Sequence, residues 1–392
     1  MKISLSTFEY PSSSHIRLGS YFSRAPLKTP PKTAKYDIIK ITTKQGGTAM
    51  RQIGLWDENA RLAKLSELGD ALERLNKVIN WEMFRPKLVK VFRKEGKGAG
   101  GRPPYDYVLL FKILVLQRIY NLSDEQTEYQ INDRMSFMRF LGLGLSDRIP
   151  DAKTIWLYRD SLTKASVIRE LFDLFNKQLE KENLITRTGT IVDATFVEAP
   201  RQRNNKDETK DLRAGKMPEE WEKPENIHKV RQKDPDARWT FKGGEKHFGY
   251  KDHVKADADS KLITDYAVTS ASVHDSQPMP GMIDEHDKIV YADSAYWGKT
   301  VADALPAGII NQIQERGTKH IALTEEQKKN NRIKSKIRCR VEHIFGFMTC
   351  SMHGLTVRSI GIARAEFNIG LSNLIYNLCR YEFIHRSKKA MG

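Results

Sequence analysis

Near residue 186 the hydrophobic period of this 392-residue chain changes, and that change dictates a two-part fold. From about 55 to 185 the apolar residues recur at helical spacing. Leu62, Leu65, Leu68, Leu72 and Leu75 share one face, and Ile168, Leu171, Phe172, Phe175 and Leu179 another. Tyr105 to Tyr120 is apolar almost throughout and predicts a buried helix. Ser123 with Gln126 is a capping-box signature for a helix through about Phe140, and Asp151 caps a third, AKTIWLYRDSL. After Thr186 short strand-like runs take over. TIV ends at Asp193. HFGYKDHVKAD, a DADSK turn and LITDYAVTSASV predict a hairpin. DKIVYAD is a third run ending in an acid, and AGIINQIQ predicts one more strand. From Thr324 the period is helical again to near Ile384. These patterns predict an α/β domain at about 186–385, a mixed sheet flanked by helices, behind an all-α domain at 50–185.

Other segments have no period. Residues 1–49 hold eight Lys/Arg against Glu9 and Asp37 and read as a basic, disordered arm or an extension without a role. Ordered structure is expected to begin just after Met50. Residues 85–102 carry seven basic residues against Glu95 and end in a Gly-rich link, either a loop along a nucleic-acid backbone or a solvated linker. Residues 201–245, with Pro218, Pro224 and Pro235, read as a charged insertion. Residues 386–392 are a tail.

Charge and cysteines narrow the function. Lys plus Arg is 65 against 49 acids, a formal net charge of +16 that favours a polyanionic partner such as nucleic acid or an anionic membrane surface. Cys339, Cys350 and Cys379 form no CxxC pair, which argues against a disulfide scaffold or a zinc ribbon. No apolar run reaches the roughly 20 residues of a spanning helix, and no secretory signal is evident. The expectation is a soluble cytoplasmic protein with no membrane partner. No Walker-type loop suggests an ATP requirement.

Three acids stand out by context. Asp193 and Asp293 each follow an apolar run, where the carboxyl ends of strands place ligand-binding groups. Glu342 borders a helical stripe of Val341, Ile344, Phe345 and Met348, one turn after Arg338. Three such carboxylates suit two hard divalent cations, which together clamp the attacking and leaving oxygens of a phosphodiester. Spacing alone leaves a plainer alternative: the two Asp residues cap turns, and Glu342 pairs with Arg338.

The segments GTIVDATFVEAP, HFGYKDHVKAD, VYADSAYWG and RCRVEHIFGFM, in this order, resemble the DDE transposases of bacterial insertion sequences, in particular the insertion sequence five family. The resemblance runs from about Ile53 to Tyr381. It includes GRPPYDYVLLFKILVLQRIYNLSDEQ and the closing AEFNIGLSNLIYNLCRY. It implies a ribonuclease H-like fold whose triad, Asp193, Asp293 and Glu342, binds two Mg²⁺ or Mn²⁺ ions. The implied activity is binding of an element's terminal inverted repeats, strand cleavage, and transfer of the freed 3′-hydroxyl into target DNA. The implied partners are double-stranded DNA and further copies of the chain, as a dimer or higher synaptic complex on the nucleoid. Rival readings are a DNA-binding protein with a dead or repurposed site, and a simple metal-dependent nuclease.

Further DNA contacts are expected from bases and aromatics. The related signature places an Arg one turn before the Glu, which Arg338 matches, and a Lys two turns after it, where this chain has Thr349. Lys334 or Arg340 is the expected substitute. Residues 316–340 hold nine Lys/Arg, Lys336 among them, and lead into Glu342, which favours phosphate binding over a merely solvated face. Trp297 either stacks on an unpaired base or packs in the core. Lys153, Tyr158 and Arg159 lie on the third helix of an outline common to helix-turn-helix domains and to three-helix bundles, and are candidate DNA contacts. His274-Asp275 either caps a helix or neighbours the metal site. His247 and His253 sit on the hairpin, touching DNA or nothing.

Overall fold

A computed structural model describes residues 57–92, 104–318 and 320–391. The basic arm, the expected start of order after Met50 and residues 93–103 of the Gly-rich link lie outside them. The helical half begins with α1 (Asp57–Glu67), α2 (Ala71–Val78) and α3 (Arg85–Phe92). Next comes α4 (Tyr107–Ile119), almost wholly buried, whose cap Asp106 accepts from the Val108 and Leu109 amides. The capping box of Ser123 and Gln126 is formed, but the helix it starts, α5 (Asp124–Asp133), stops short of Phe140. Arg134 is extended and its guanidinium covers the Tyr120 and Phe137 rings, so the chain restarts as α6 (Met135–Leu141). Asp151 caps α7 (Ala152–Lys164) through the Thr154 amide, and α8 (Val167–Lys181) follows.

The strands are β1 (Thr190–Glu198), β2 (Arg238–Lys242), β3 (Glu245–Asp257), β4 (Ile263–Ser270), β5 (Ile289–Tyr291) and β6 (Ile310–Asn311). Central β3 pairs antiparallel with β1 along its whole inner edge, from Glu198↔Gly249 to Thr190↔Asp257. Its outer edge pairs with β2 and then with β4, giving the expected hairpin. On the far side of β1, β5 and β6 run parallel to it. This mixed order is consistent with the ribonuclease H-like fold. The charged insertion is not featureless. It contains α9 (Lys206–Arg213), the single turns α10 (Glu219–Glu222) and α11 (Ile227–Val230), and then β2. RWTFK alternates, and Trp239 and Phe241 are exposed on this outer strand.

Single turns α12 (Met279–Met282) and α13 (Lys299–Ala304) cover one face of the sheet. There Val192, Val290, Ala292, Tyr296 and Ile313 form a small core. The other face belongs to a larger core that extends through the helical half. After Thr324 the helical period is carried by several pieces, the first of them α14 (Glu325–Arg338). A 3₁₀ turn leads to α15 (Glu342–Gly346), a π turn spans Phe347–Ser351, and the 30-residue α16 (Ile362–Met391) closes the chain. Leu371, Leu374, Ile375 and Leu378 of α16 are buried where it packs on α4, α8 and β4, which ties the helical half to the sheet. No helix among the described residues is long and apolar enough to cross a membrane.

One buried acid in this core predicts a pH effect. Asp252 on β3 is fully buried, and burial pushes its pKa up to about 7, against which the hydrogen bond from Asn373 acts. Asn373 Nδ2 donates to Asp252 Oδ1 at 3.0 Å, while Asp252 Oδ2 and Asn373 Oδ1 have no partner. A proton on Oδ2 completes a reciprocal acid–amide pair. Because the folded pKa exceeds the unfolded value of about 4, the native state holds the extra proton between these values. Stability therefore falls as pH rises from about 4 to 7 and stays lowered above. Asp252→Asn should be more stable than wild type at pH 8, on the order of 2–4 kcal/mol, and should lose that advantage near pH 4.5. Urea melts at the two pH values check this; a difference independent of pH would contradict it.

Candidate active site

Asp193 is not at the end of β1 as the sequence suggested but in its middle, because β3 supports the strand to Glu198 while the parallel pairing with β5 stops at Ile191↔Tyr291. Its carboxylate thus stands where one neighbour ends. The β1–β5 register pairs Thr190 with Val290 and Ile191 with Tyr291. Asp193 and Asp293 each stand two residues beyond the last β1–β5 pair, and the charge of Asp293 acts on Asp193. By the alternation of a strand, Asp193 shares the face of Ile191, which belongs to the larger core. Val341 and Ile344, fully buried in that core, hold the 3₁₀ turn and α15 there.

Each acid has defined partners. Asp193 Oδ1 accepts from the Ala194 amide at 2.8 Å, and its Oδ2 accepts from Arg338 Nη1 at 2.7 Å. Burial pushes the Asp193 pKa up to about 6, with Asp293 adding to the rise. The Ala194 hydrogen bond, Arg338 and Lys242 pull the other way. Asp293 caps the 3₁₀ turn Ser294–Tyr296 through the Ala295 amide at 2.7 Å. Glu342 is 65% exposed and accepts from Arg338 Nη2 at 3.1 Å. A single guanidinium therefore spans two acids 149 positions apart (193 and 342), whose bonded oxygens lie no more than roughly 8 Å apart. Among the described residues, no three His, Cys, Asp or Glu side chains already surround one metal-sized point; Arg338 lies between the acids instead.

The remaining expected contacts are distributed differently. Arg340 turns to the β3–β4 loop, donating to the Ala258 carbonyl and Asp259. Lys334 donates to the Ile313 carbonyl. Both point at protein acceptors and neither takes over the place of the lysine that Thr349 lacks. Thr349 donates to its own helix at Phe345. Lys336 is exposed on α14, and Trp297 is exposed just beyond Asp293, so core packing does not account for it. Lys153 is exposed on α7. Tyr158 is a correction: it is buried, stacked on Phe92, and donates to the Tyr107 carbonyl, so it cannot face DNA. Arg159 is held in a fork by Asp124 at 2.6 and 2.8 Å.

Three residues that the sequence did not single out adjoin the acids. Lys242 on β2 acts on Asp193 electrostatically and pairs with Asp275 at 3.3 Å. Lys251, buried on β3, pairs with the same acid at 2.7 Å. Tyr296 is buried with its hydroxyl unpartnered, and Asp193, Asp275 and Asp293 help burial push its pKa far above the usual phenol value. Asp275 thus borders the site, while His274 bonds Ser276. His253 bonds Thr269 and is buried enough that its pKa falls to about 4, so it is neutral and away from DNA. His247 stacks on Phe196 with centroids 4.2 Å apart. The alternation in RWTFK was the available signal for Lys242; nothing local marked Tyr296.

Residues 185–378 match the transposase DDE domain, and residues 60–161 match a second transposase domain, DUF772. The chain belongs to the DDE transposases. A solved structure similar to this transposase is the cryo-EM structure of the piggyBac transposase synaptic complex with hairpin DNA. Identity is 11%, over 83% of this chain and 77% of that chain, with a TM-score of 0.41, too distant to add to the argument. DDE transposases are DNA-cleaving and strand-transferring enzymes that use divalent metal ions. The donor set suits such an ion: hard carboxylate oxygens only, with the charge of Asp293 opposing ionisation of half-buried Asp193, a repulsion that a dication relieves.

Proposed function

We propose that this transposase belongs with the bacterial insertion sequence five group and acts on the terminal inverted repeats of its own element. In this reading Asp193, Asp293 and Glu342 hold two Mg²⁺ or Mn²⁺ ions. The observation that carries it is the single guanidinium bridging Asp193 and Glu342, with Asp293 close enough to act electrostatically on Asp193. When bound, the ions supply Lewis acidity at the scissile phosphate and a more acidic water or 3′-hydroxyl.

The protein's own residues do the rest. β1 and the turn after β5 fix two carboxylates rigidly, and α15 presents the third on an exposed side chain that can turn inward. Once Glu342 turns, Arg338 keeps its place beside Asp193 and is free to donate to a phosphate oxygen. Hydrolysis leaves a 3′-hydroxyl at the element end. That hydroxyl then displaces a 3′-oxygen from a target phosphodiester, with no covalent protein intermediate. Two ends must be joined, so the working unit is a dimer or larger.

A supercoiled donor plasmid carrying the element ends, incubated with Mg²⁺, tests the reading. Asp293→Asn should lose cleavage and strand transfer while binding end DNA as wild type does. Nicking equal to wild type would overturn the triad, and loss of end binding would count against its separation from DNA recognition. Cleavage without strand-transfer products in the wild type would favour a simple nuclease.

A further inference from the structure

A group of arginines lines two cavities away from the acids. The segment after the π turn returns to the sheet at Thr356, which bridges to Glu198 in parallel at the far end of β1. Seven residue steps, five from Asp193 to Glu198 and two from Thr356 to Arg358, put Arg358 roughly 20 Å from the acidic site. It stands over two adjoining cavities of about 250 and 270 Å³ between α4, α5, α7 and α16, lined also by Arg118, Arg159 and Arg364.

The charges here are unbalanced. Arg118 on α4 is 8% exposed. Its Nε donates to Ser372 Oγ and its Nη2 to the Gly354 carbonyl, both at 2.7 Å, and both acceptors are neutral. Burial pushes its pKa down to about 10, and Arg358 pushes in the same direction. Among the described residues no carboxylate pairs with Arg118 or Arg358. The nearby acids are committed elsewhere: Asp124 grips Arg159, and Asp160 holds Lys164 at 2.7 Å and Arg364 at 3.4 Å. Glu125 is exposed at the rim. A buried guanidinium with neutral acceptors and a second guanidinium facing it is destabilised until an anion arrives. Trp156, 45% exposed on α7, also lines one cavity.

We propose that Arg358, backed by Arg118 and flanked by Arg159 and Arg364, is a binding notch for a backbone phosphate of the DNA, separate from the acidic site. The inference rests on the DNA-transposase reading and extends it to a phosphate held by the junction of the helical half and the end of β1. The spacing of roughly 20 Å corresponds to about six base pairs of duplex from the scissile position. A notch at that distance fixes the duplex's angle to the active site without contacting the reacting atoms, so these arginines are positioning residues.

Arg358 is exposed, so its substitution leaves the core intact. The test compares wild type, Arg358→Ala and Asp193→Ala in full-length protein. Inorganic phosphate should raise the wild-type melting temperature and leave that of Arg358→Ala unchanged. In phosphate-free buffer Arg358→Ala should melt higher than wild type, because Arg118 is relieved of a like charge. For end-bearing duplex the variant's affinity should fall roughly tenfold, and the slope of log K against log salt should shrink by about one. Asp193→Ala should keep the wild-type phosphate response and salt slope, so failure of the acidic-site reading and failure of this one are distinguished. An unchanged slope and affinity in Arg358→Ala would overturn the notch. So would a phosphate effect that disappears without any change in DNA binding, the mark of a free-anion site the duplex does not use.

Discussion

Replacing Asp193 by alanine should lower metal-dependent strand cleavage by about a thousandfold or more, roughly 4 kcal/mol of barrier, with end-DNA affinity unchanged within a factor of about two. The size of the effect follows from position. Asp193 feels Asp293 electrostatically and is joined to Glu342 through Arg338, so it is the acid common to both interactions. Its loss should not destabilise the fold. Burial already disfavours its ionised form, and Arg338 keeps Glu342 as a partner. A plasmid-nicking time course with a melting curve checks both statements. Cleavage within tenfold of wild type would contradict the assignment.

The largest structural effect is expected at Gly249, where β3 crosses from β2 to β4. Its φ is +146°, and a Cβ there would meet the Val197 carbonyl oxygen at 2.2 Å and the Ala199 amide nitrogen at 2.8 Å. Both are backbone atoms of β1 and its continuation, so no side chain can swing aside. Gly249→Ala should cost about 3 kcal/mol or more, by forcing apart the β1–β3 pair that holds Asp193. Circular dichroism melts should show a drop of several degrees or loss of a cooperative transition. A melt matching wild type would mean that β1 and β3 yield more easily than this spacing allows.

Much of the architecture was legible because it is written in local period. The apolar runs before Asp193 and Asp293 became β1 and β5, and the hairpin and the helix caps formed as their residues predict. What escaped notice depends on partners far away in the chain. β2 hides in a mixed-charge segment because its apolar side chains face solvent at an outer strand. Arg134 breaks a helix whose apolar spacing continues, because two rings accept its guanidinium. Tyr158 looks like a DNA-facing group on a helix until Phe92 and the Tyr107 carbonyl claim it. At the acids, sequence context singled out the carboxylates but not Lys242 or Tyr296, which only the fold brings to them.

In the proposed function the carboxylates at 193, 293 and 342 share divalent ions once Arg338 yields its hold on Glu342. Crystals grown with Mn²⁺ and a short duplex of the element end, measured at the manganese absorption edge, address it directly. Anomalous peaks are expected within about 2.5 Å of Asp193 and Asp293 oxygens, with Glu342 rotated inward to join them. Manganese bound elsewhere, with Arg338 still bridging Asp193 and Glu342, would contradict it.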